Sequence, residues 1–266
     1  MTTKIVLITG ASSGIGLACA KRLHQDGWTV VGTSRAPGDT QPWRSVAMDV
    51  DDDDSVRTGV EQILAEHGRI DALVACAGWG LGGAAEETPI EEAKAQVETN
   101  FWGVVRVVKA VLPAMRQQQG GRLVLMSSIG GLIGLPFQPF YSASKFALEG
   151  YGEALAYEIA PFNVKLTMVE PGNFSTGFTT SRRMVAPLEI DVYASAREKA
   201  ITTMERDEEN GAAPEKVAHV VERVLSARRP PRRTSVGKFD ERIGLVAKRL
   251  LPFSVFASSA KGSLGL

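Results

Sequence analysis

Cysteine, histidine and any surplus of one charge are what this 266-residue chain has least of. Cys19 and Cys76 are its only cysteines, too few for a disulfide framework and without the spacing of a zinc site. A chain of this length buries enough apolar surface to fold without either staple. His24, His67 and His219 are scattered without ligand spacing, so no metal is expected. Thirty basic and thirty acidic residues cancel, which removes the whole-chain case for a nucleic-acid partner. Long hydrophobic runs are also missing. The longest uncharged stretch, 123–144, is broken by Ser127, Ser128, Gly130, Gly131, Gly134, Pro136, Gln138 and Pro139, and would span a bilayer poorly. The apolar run after Lys4 lasts four residues before Thr9-Gly10, too short for a secretory leader. A cytoplasmic protein is expected.

Glycine, in contrast, is plentiful: 27 residues, about a tenth of the chain, where about 7% is ordinary. Charge is also uneven along the chain. Residues 228–266 hold nine Lys/Arg against Asp240 and Glu241, a net +7, so the remainder carries −7.

Short β-branched runs at 5–9, 29–33, 44–48, 72–75, 121–126 and 165–170 alternate with amphipathic patterns at 14–26, 55–67, 90–118 and 142–161. This rhythm predicts right-handed βαβ crossovers: an α/β, doubly wound parallel sheet in three αβα layers, within a single domain. Residues 1–232 form its body and 233–266 a basic, partly apolar extension. The acidic run 51–54 reads as a helix start, where carboxylates complement the dipole.

After the first strand comes Thr9-Gly10-Ala11-Ser12-Ser13-Gly14-Ile15-Gly16, then a helix. Glycines at such a turn let the backbone approach a pyrophosphate, and the helix N-terminus adds free N–H groups. Tyr141 and Lys145 stand four apart at a helix start and share one face. An ammonium beside a phenol lowers its pKa toward working pH, which suits an acid/base. Ser128 ends a strand, at the sheet edge where α/β ligands bind.

Together these residues resemble the short-chain dehydrogenase/reductase family, a Rossmann-type fold, over about residues 4–230. The resemblance assigns Gly10, Ser12, Ser13, Gly14, Ile15 and Gly16 to the cofactor loop and Asp49-Val50 to the adenine. Ala77 and Gly78 follow the fourth strand, and Pro171, Gly172, Phe174 and Thr176 match the segment that holds the nicotinamide. Asn100, Ser128, Tyr141 and Lys145 match the catalytic positions, with Asn100, Tyr141 and Lys145 also touching cofactor. In those roles Ser128 orients the carbonyl or alcohol, Tyr141 moves its proton, Lys145 lowers the Tyr141 pKa and holds the ribose, and Asn100 fixes a water. One departure stands out: Ala75-Cys76-Ala77-Gly78 replaces the family's Asn-Asn-Ala-Gly, so local bracing should differ while binding persists. Cys76 reads as a small packed residue.

At the end of the second strand, Ser34-Arg35 stands where a carboxylate would select NAD; NADP(H) is therefore expected to be preferred, with NAD(H) as the second choice. The resemblance implies an oxidoreductase interconverting a carbonyl and an alcohol on a hydrophobic small molecule. The alternative is a catalytically idle dinucleotide-binding sensor. Residues 177–211 form the expected substrate lid, with Phe178, Met184, Val185, Leu188 and Tyr193 joined by Trp79 and Phe137. The stretch 128–154 looks most like the 17β-hydroxysteroid and retinol dehydrogenase branch, making steroid, retinoid or lipid the candidate substrates. Arg182-Arg183 reads as a solvated pair on the lid. Apolar residues beyond one stripe (Phe101, Trp102, Val104, Val105, Val107 and Val108; Phe146, Leu148, Leu155 and Ile159) predict a homodimer or homotetramer. Residues 243–251 read as a short basic, apolar helix, expected to cap the pocket or a neighbouring subunit in preference to a membrane surface.

Overall fold

In the computed structural model, which describes residues 3–38, 40–186 and 191–263, seven parallel strands form the central sheet. They are β1 (Ile5–Thr9), β2 (Thr29–Ser34), β3 (Arg44–Ala47), β4 (Ala72–Ala75), β6 (Gly121–Met126), β7 (Val164–Pro171) and β9 (Arg233–Val236), in the order β3-β2-β1-β4-β6-β7-β9. Two residues each from β5 (Leu81–Gly82) and β8 (Arg183–Met184) pair separately beside it. Alternation along each strand feeds two apolar clusters, one on each face. Leu7, Leu73 and Leu123 enter the first; Ile8, Val74 and Val124 enter the second. Helices α2 (Asp53–His67), α4 (Val104–Gln117) and α5 (Pro139–Ile159) cover the first face, while α1 (Gly14–Gln25) and α8 (Glu215–Ser226) cover the second. This is the three-layer αβα arrangement expected.

The acidic run does begin a helix: Asp52 caps α2 by accepting from the Ser55 amide at 2.6 Å, and left-handed Gly68 closes it. The expected helix over 90–118 is interrupted. It splits into α3 (Ile90–Val97), a π-turn over Glu98–Gly103, and α4. The π-turn inserts an extra residue that apolar periodicity does not register, and Asn100 lies in it.

Most of the apolar residues on which the oligomer expectation rested are buried within the subunit. Val104, Val107, Val108, Leu148, Leu155 and Ile159 all lie in the first cluster, with Phe101 packed against it, and Val105 is buried as well. Trp102 and Phe146 remain exposed. The last strand, β9, was not apparent in the sequence. Before it, α6 (Phe178–Ser181) and α7 (Ala194–Glu209) occupy the segment expected as a lid; after it, α9 (Phe239–Leu250) and α10 (Phe253–Ser263) form the C-terminal extension. No described helix is long and apolar enough to cross a membrane.

Candidate active site

Strand order reverses direction between β1 and β4, and such a switch point opens a crevice at the carboxyl ends of the strands. The glycine loop lies there. Gly10 and Gly14 adopt φ of +67° and +53°, which side-chain-bearing residues rarely tolerate. A Cβ on Gly16 would overlap the Gly10 carbonyl, and one on Gly10 would come within 3.0 Å of the Ala77 amide nitrogen. Ser13 is the N-cap of α1 but makes no side-chain cap bond, so its hydroxyl does not occupy the helix N-terminus. Thr176 reaches over this loop, its Cβ 3.7 Å from where a Gly14 Cβ would stand. The glycine loop and the 171–176 segment thus face each other. The chemistry of this cradle fits a dinucleotide: the missing Cβ atoms let the loop fold tightly against itself and Ala77, and the N-terminus of α1 carries N–H groups with no intrahelical partner and no side-chain cap.

The other cofactor-side residues divide into two groups. Ser34 ends β2 and exposed Arg35 follows it, with Ser34's carbonyl accepting from the Met48 amide at 2.9 Å. Asp49 follows β3 and accepts from the Asp51 amide at 3.1 Å. Exposed Gly78 and half-buried Ala77 follow β4, and Pro171 ends β7 with Gly172 after it. The side chains of Val50 and Phe174 instead pack in the two apolar clusters.

Cys76 and Ala77 are held without the two asparagines. The Thr9 hydroxyl accepts from both of their amides, at 3.1 and 3.2 Å, and Thr9 is itself buried. Replacing Thr9 with Val keeps the shape and removes this acceptor. An orphaned buried amide costs about 1–3 kcal/mol. The unfolding free energy of Thr9→Val, read from urea titration, should therefore fall by an amount in that range; an unchanged value would mean that this hydroxyl braces nothing. Cys76 also contacts buried Cys19, and that contact together with burial raises the Cys19 thiol pKa well above its ordinary value.

Ser128, Tyr141, Lys145 and Asn100 converge on the other side of the crevice, all four buried. Ser128 leaves β6, accepts from the Gly130 amide at 3.0 Å and faces the Pro171 carbonyl at 3.5 Å. Tyr141 and Lys145 lie in the first turns of α5, which opens with Pro139 at a position where no N–H is needed. Lys145 Nζ donates to the Met126 carbonyl at 2.9 Å and lies 5.9 Å from the Tyr141 ring centroid. Asn100 accepts from the Trp79 amide at 2.9 Å, and donates to the Trp79 carbonyl at 2.9 Å and to Ser144 Oγ at 3.3 Å. A Cβ on Gly78 would lie 3.0 Å from Asn100 Oδ1 and 3.8 Å from Lys145 Nζ, so both side chains aim at one spot. Ser144, which also donates to the Tyr141 carbonyl at 2.7 Å, ties the π-turn to α5. The sequence offered no sign of it.

The electrostatics differ from the expectation that Lys145 would depress the phenol. Burial pushes Tyr141 up to about 12, against the pull of the Ser128 hydroxyl; Glu208 adds to the rise and Arg182 opposes it. Burial likewise pushes Lys145 down to about 8, against the nearby Cys76 and Glu149. Desolvation of both groups outweighs their mutual influence in the chain itself.

Beside Tyr141 lies Phe178, from the segment expected as a lid. The Phe178 ring meets the phenol edge-on with centroids 5.8 Å apart, and the Arg182 guanidinium lies 5.9 Å from the Phe178 ring centroid. Arg182 was expected to be solvated, yet its side chain is 1% exposed and paired with Glu208 of α7. A buried guanidinium is tolerated because that carboxylate meets it. Arg183 does project outward, stacking on Trp79 at 4.5 Å. Of the other expected wall residues, Val185 is buried, Met184 is exposed and the Tyr193 hydroxyl donates to Glu86 at 2.7 Å. Phe137 holds a left-handed φ of +57° while its carbonyl accepts from Gly83, an unusual conformation for a bulky residue. Leu188 lies outside the described residues. Among the described residues no three His, Cys, Asp or Glu side chains gather as a metal site would require.

Comparison with known proteins agrees with this geometry. The short chain dehydrogenase family profile matches residues 4–185. A 3-ketodihydrosphingosine reductase of Bacteroides thetaiotaomicron is 44% identical over 254 residues, 95% of this chain and 94% of that one. Human retinol dehydrogenase 8 is 35% identical, covering 86% of this chain and 80% of its own. The crystal structure of a short-chain dehydrogenase from Streptomyces avermitilis superposes with a TM-score of 0.82 at 30% identity, covering 98% of both chains. The chain therefore belongs to the short-chain dehydrogenase/reductase family, as an oxidoreductase acting on CH–OH groups with NAD(P).

Proposed function

We propose that this enzyme is an NADP(H)-preferring reductase of ketones carried on a long hydrophobic molecule, with Tyr141 as proton donor. The observation that carries the reading is the convergence of buried Ser128, Tyr141 and Lys145, with the Phe178 ring edge-on to the phenol. When bound, the dinucleotide supplies the hydride. The glycine loop and residues 171–176 would hold it, with Ser34 and Arg35 donating to a 2′-phosphate that no acid at that position opposes.

The chain's own groups do the rest. Ser128 already accepts from Gly130, and its contact to Pro171 is long, so its O–H is available to a substrate oxygen. The phenol, protonated across the working range, gives that oxygen its proton. The Lys145 ammonium then returns a proton to the Tyr141 phenolate and regains one from solvent through a water that Asn100 fixes. The wall that Phe178 gives to Tyr141 is apolar, which favours a hydrophobic substrate.

Among hydrophobic ketones, the long-chain type is favoured by the 44% identity to a 3-ketodihydrosphingosine reductase across nearly the whole chain. Steroids and retinoids, suggested by the 35% identity to retinol dehydrogenase 8, form the second reading. A homo-oligomer is also proposed, through exposed Trp102, Phe146 and Tyr157. The test follows NADPH oxidation with a 3-keto long-chain base, a steroid ketone and retinal side by side. Turnover should be highest with the long-chain ketone. Turnover confined to the steroid or to retinal would select the second reading, and no turnover of any of them would overturn both.

A further inference from the structure

The C-terminal extension touches the catalytic edge with one side only. Glu241 accepts from the Asn173 amide at 2.8 Å and from the Lys238 amide at 2.7 Å, and Lys248 donates to the Leu132 carbonyl while lying 4.9 Å over the Phe146 ring. These contacts join α9 to the 171–176 segment and to the loop after Ser128. They are polar contacts and one cation–ring contact, and they use none of the helix's exposed large apolar residues. Phe239, Ile243, Val246 and Leu250 recur at helical spacing and form a single stripe that points away from the protein. Phe239 is 78% exposed and Leu250 76%; Leu251, Phe253 (80%) and Val255 continue the exposed surface into α10.

The charges around the stripe are mainly positive. Exposed Lys238, Arg242, Arg249 and Lys261 surround it, and Arg249 also lies near enough to favour the charged form of Glu170. Of the only two acids beyond residue 228, Glu241 is turned inward and Asp240 sits in the first turn of α9. Twelve residues of helix extend about 18 Å, too short to cross a bilayer and long enough to lie along one. An apolar stripe bordered by cations is the arrangement of a helix that rests in an anionic lipid interface. Pairing with the same stripe of a second copy would set Arg242 and its neighbours against themselves, whereas an anionic surface neutralises them.

We propose that α9 and α10 form an interfacial anchor that seats this enzyme on anionic lipid, with the Ser128 edge of the sheet held beside the bilayer. The anchor does not depend on which ketone is reduced. Its test is flotation of the full chain with vesicles of phosphatidylglycerol mixed with phosphatidylcholine, and with phosphatidylcholine alone. The wild type should float with the anionic vesicles, less so as salt is raised, and weakly with the neutral ones. Ile243→Asp with Val246→Asp should lower the partition coefficient about tenfold or more. Arg242→Glu should lower it about fivefold or more on anionic vesicles. Both positions are exposed, so the thermal midpoint serves as the folding control and should stay at the wild-type value. No flotation, equal flotation with both lipids, or an unaffected double variant would overturn the anchor. So would a wild type that ignores vesicles but loses its oligomeric state on the Asp substitutions, which would give the stripe to a second copy.

Discussion

Tyr141→Phe is expected to lower kcat for ketone reduction by about 10²–10⁴-fold, the usual range for loss of a general acid, while leaving the dissociation constant for NADPH nearly unchanged. The substitution removes one oxygen from a side chain that is 8% exposed and packed edge-on against Phe178. Packing and the ring contact survive it, so a fall in rate reports the lost proton and not a disturbed fold. Stopped-flow turnover together with fluorescence titration of NADPH separates the two effects. A variant within threefold of the wild type would remove Tyr141 from the proton step. The pH profile of the wild type makes the same point from the other side. Burial holds the phenol near 12, so it stays protonated, whereas Lys145, near 8, loses its charge first. The alkaline decline of kcat in the reduction direction should therefore begin near pH 8 and follow Lys145.

A comparable effect is expected at the far end of the crevice. A charge-assisted hydrogen bond to phosphate contributes roughly 1.5–3 kcal/mol, so Arg35→Ala should raise the KM for NADPH about 10- to 100-fold with little change for NADH. Arg35 is exposed and follows the last residue of β2, so its loss leaves the sheet intact. Ser34→Asp should move preference further toward NADH by placing a carboxylate against the phosphate. Equal losses for both nucleotides in Arg35→Ala would show that the guanidinium does not read the phosphate.

The sheet was legible because buried parallel strands read as short apolar runs, and those at 5–9, 72–75 and 121–126 match the observed strands. β9 was hidden for the opposite reason: Arg-Thr-Ser-Val at an exposed edge contains no apolar run. The π-turn was hidden because periodicity counts apolar positions and does not register one extra residue between two helices. Within the site, the glycine loop and the four candidate catalytic residues could be named because their spacing is local or resembles a known pattern. Their supports could not. Thr9 under Cys76, Ser144 under Asn100 and Glu208 beside Arg182 join residues far apart in sequence, and a lone Thr, Ser or Glu carries no signal of its partner. The pKa directions were illegible as well, since burial decides them and burial belongs to the fold.

Glu241 gives the extension a structural role apart from its exposed face. Its carboxylate fills the space beside Gly172 and Gly237 that a Cβ on either would take, and it receives the Asn173 amide. A chain shortened after β9 to improve its handling in solution would therefore lose a strut beneath the 171–176 segment along with its greasy helices. Kinetic constants from such a shortened enzyme would describe a differently supported crevice.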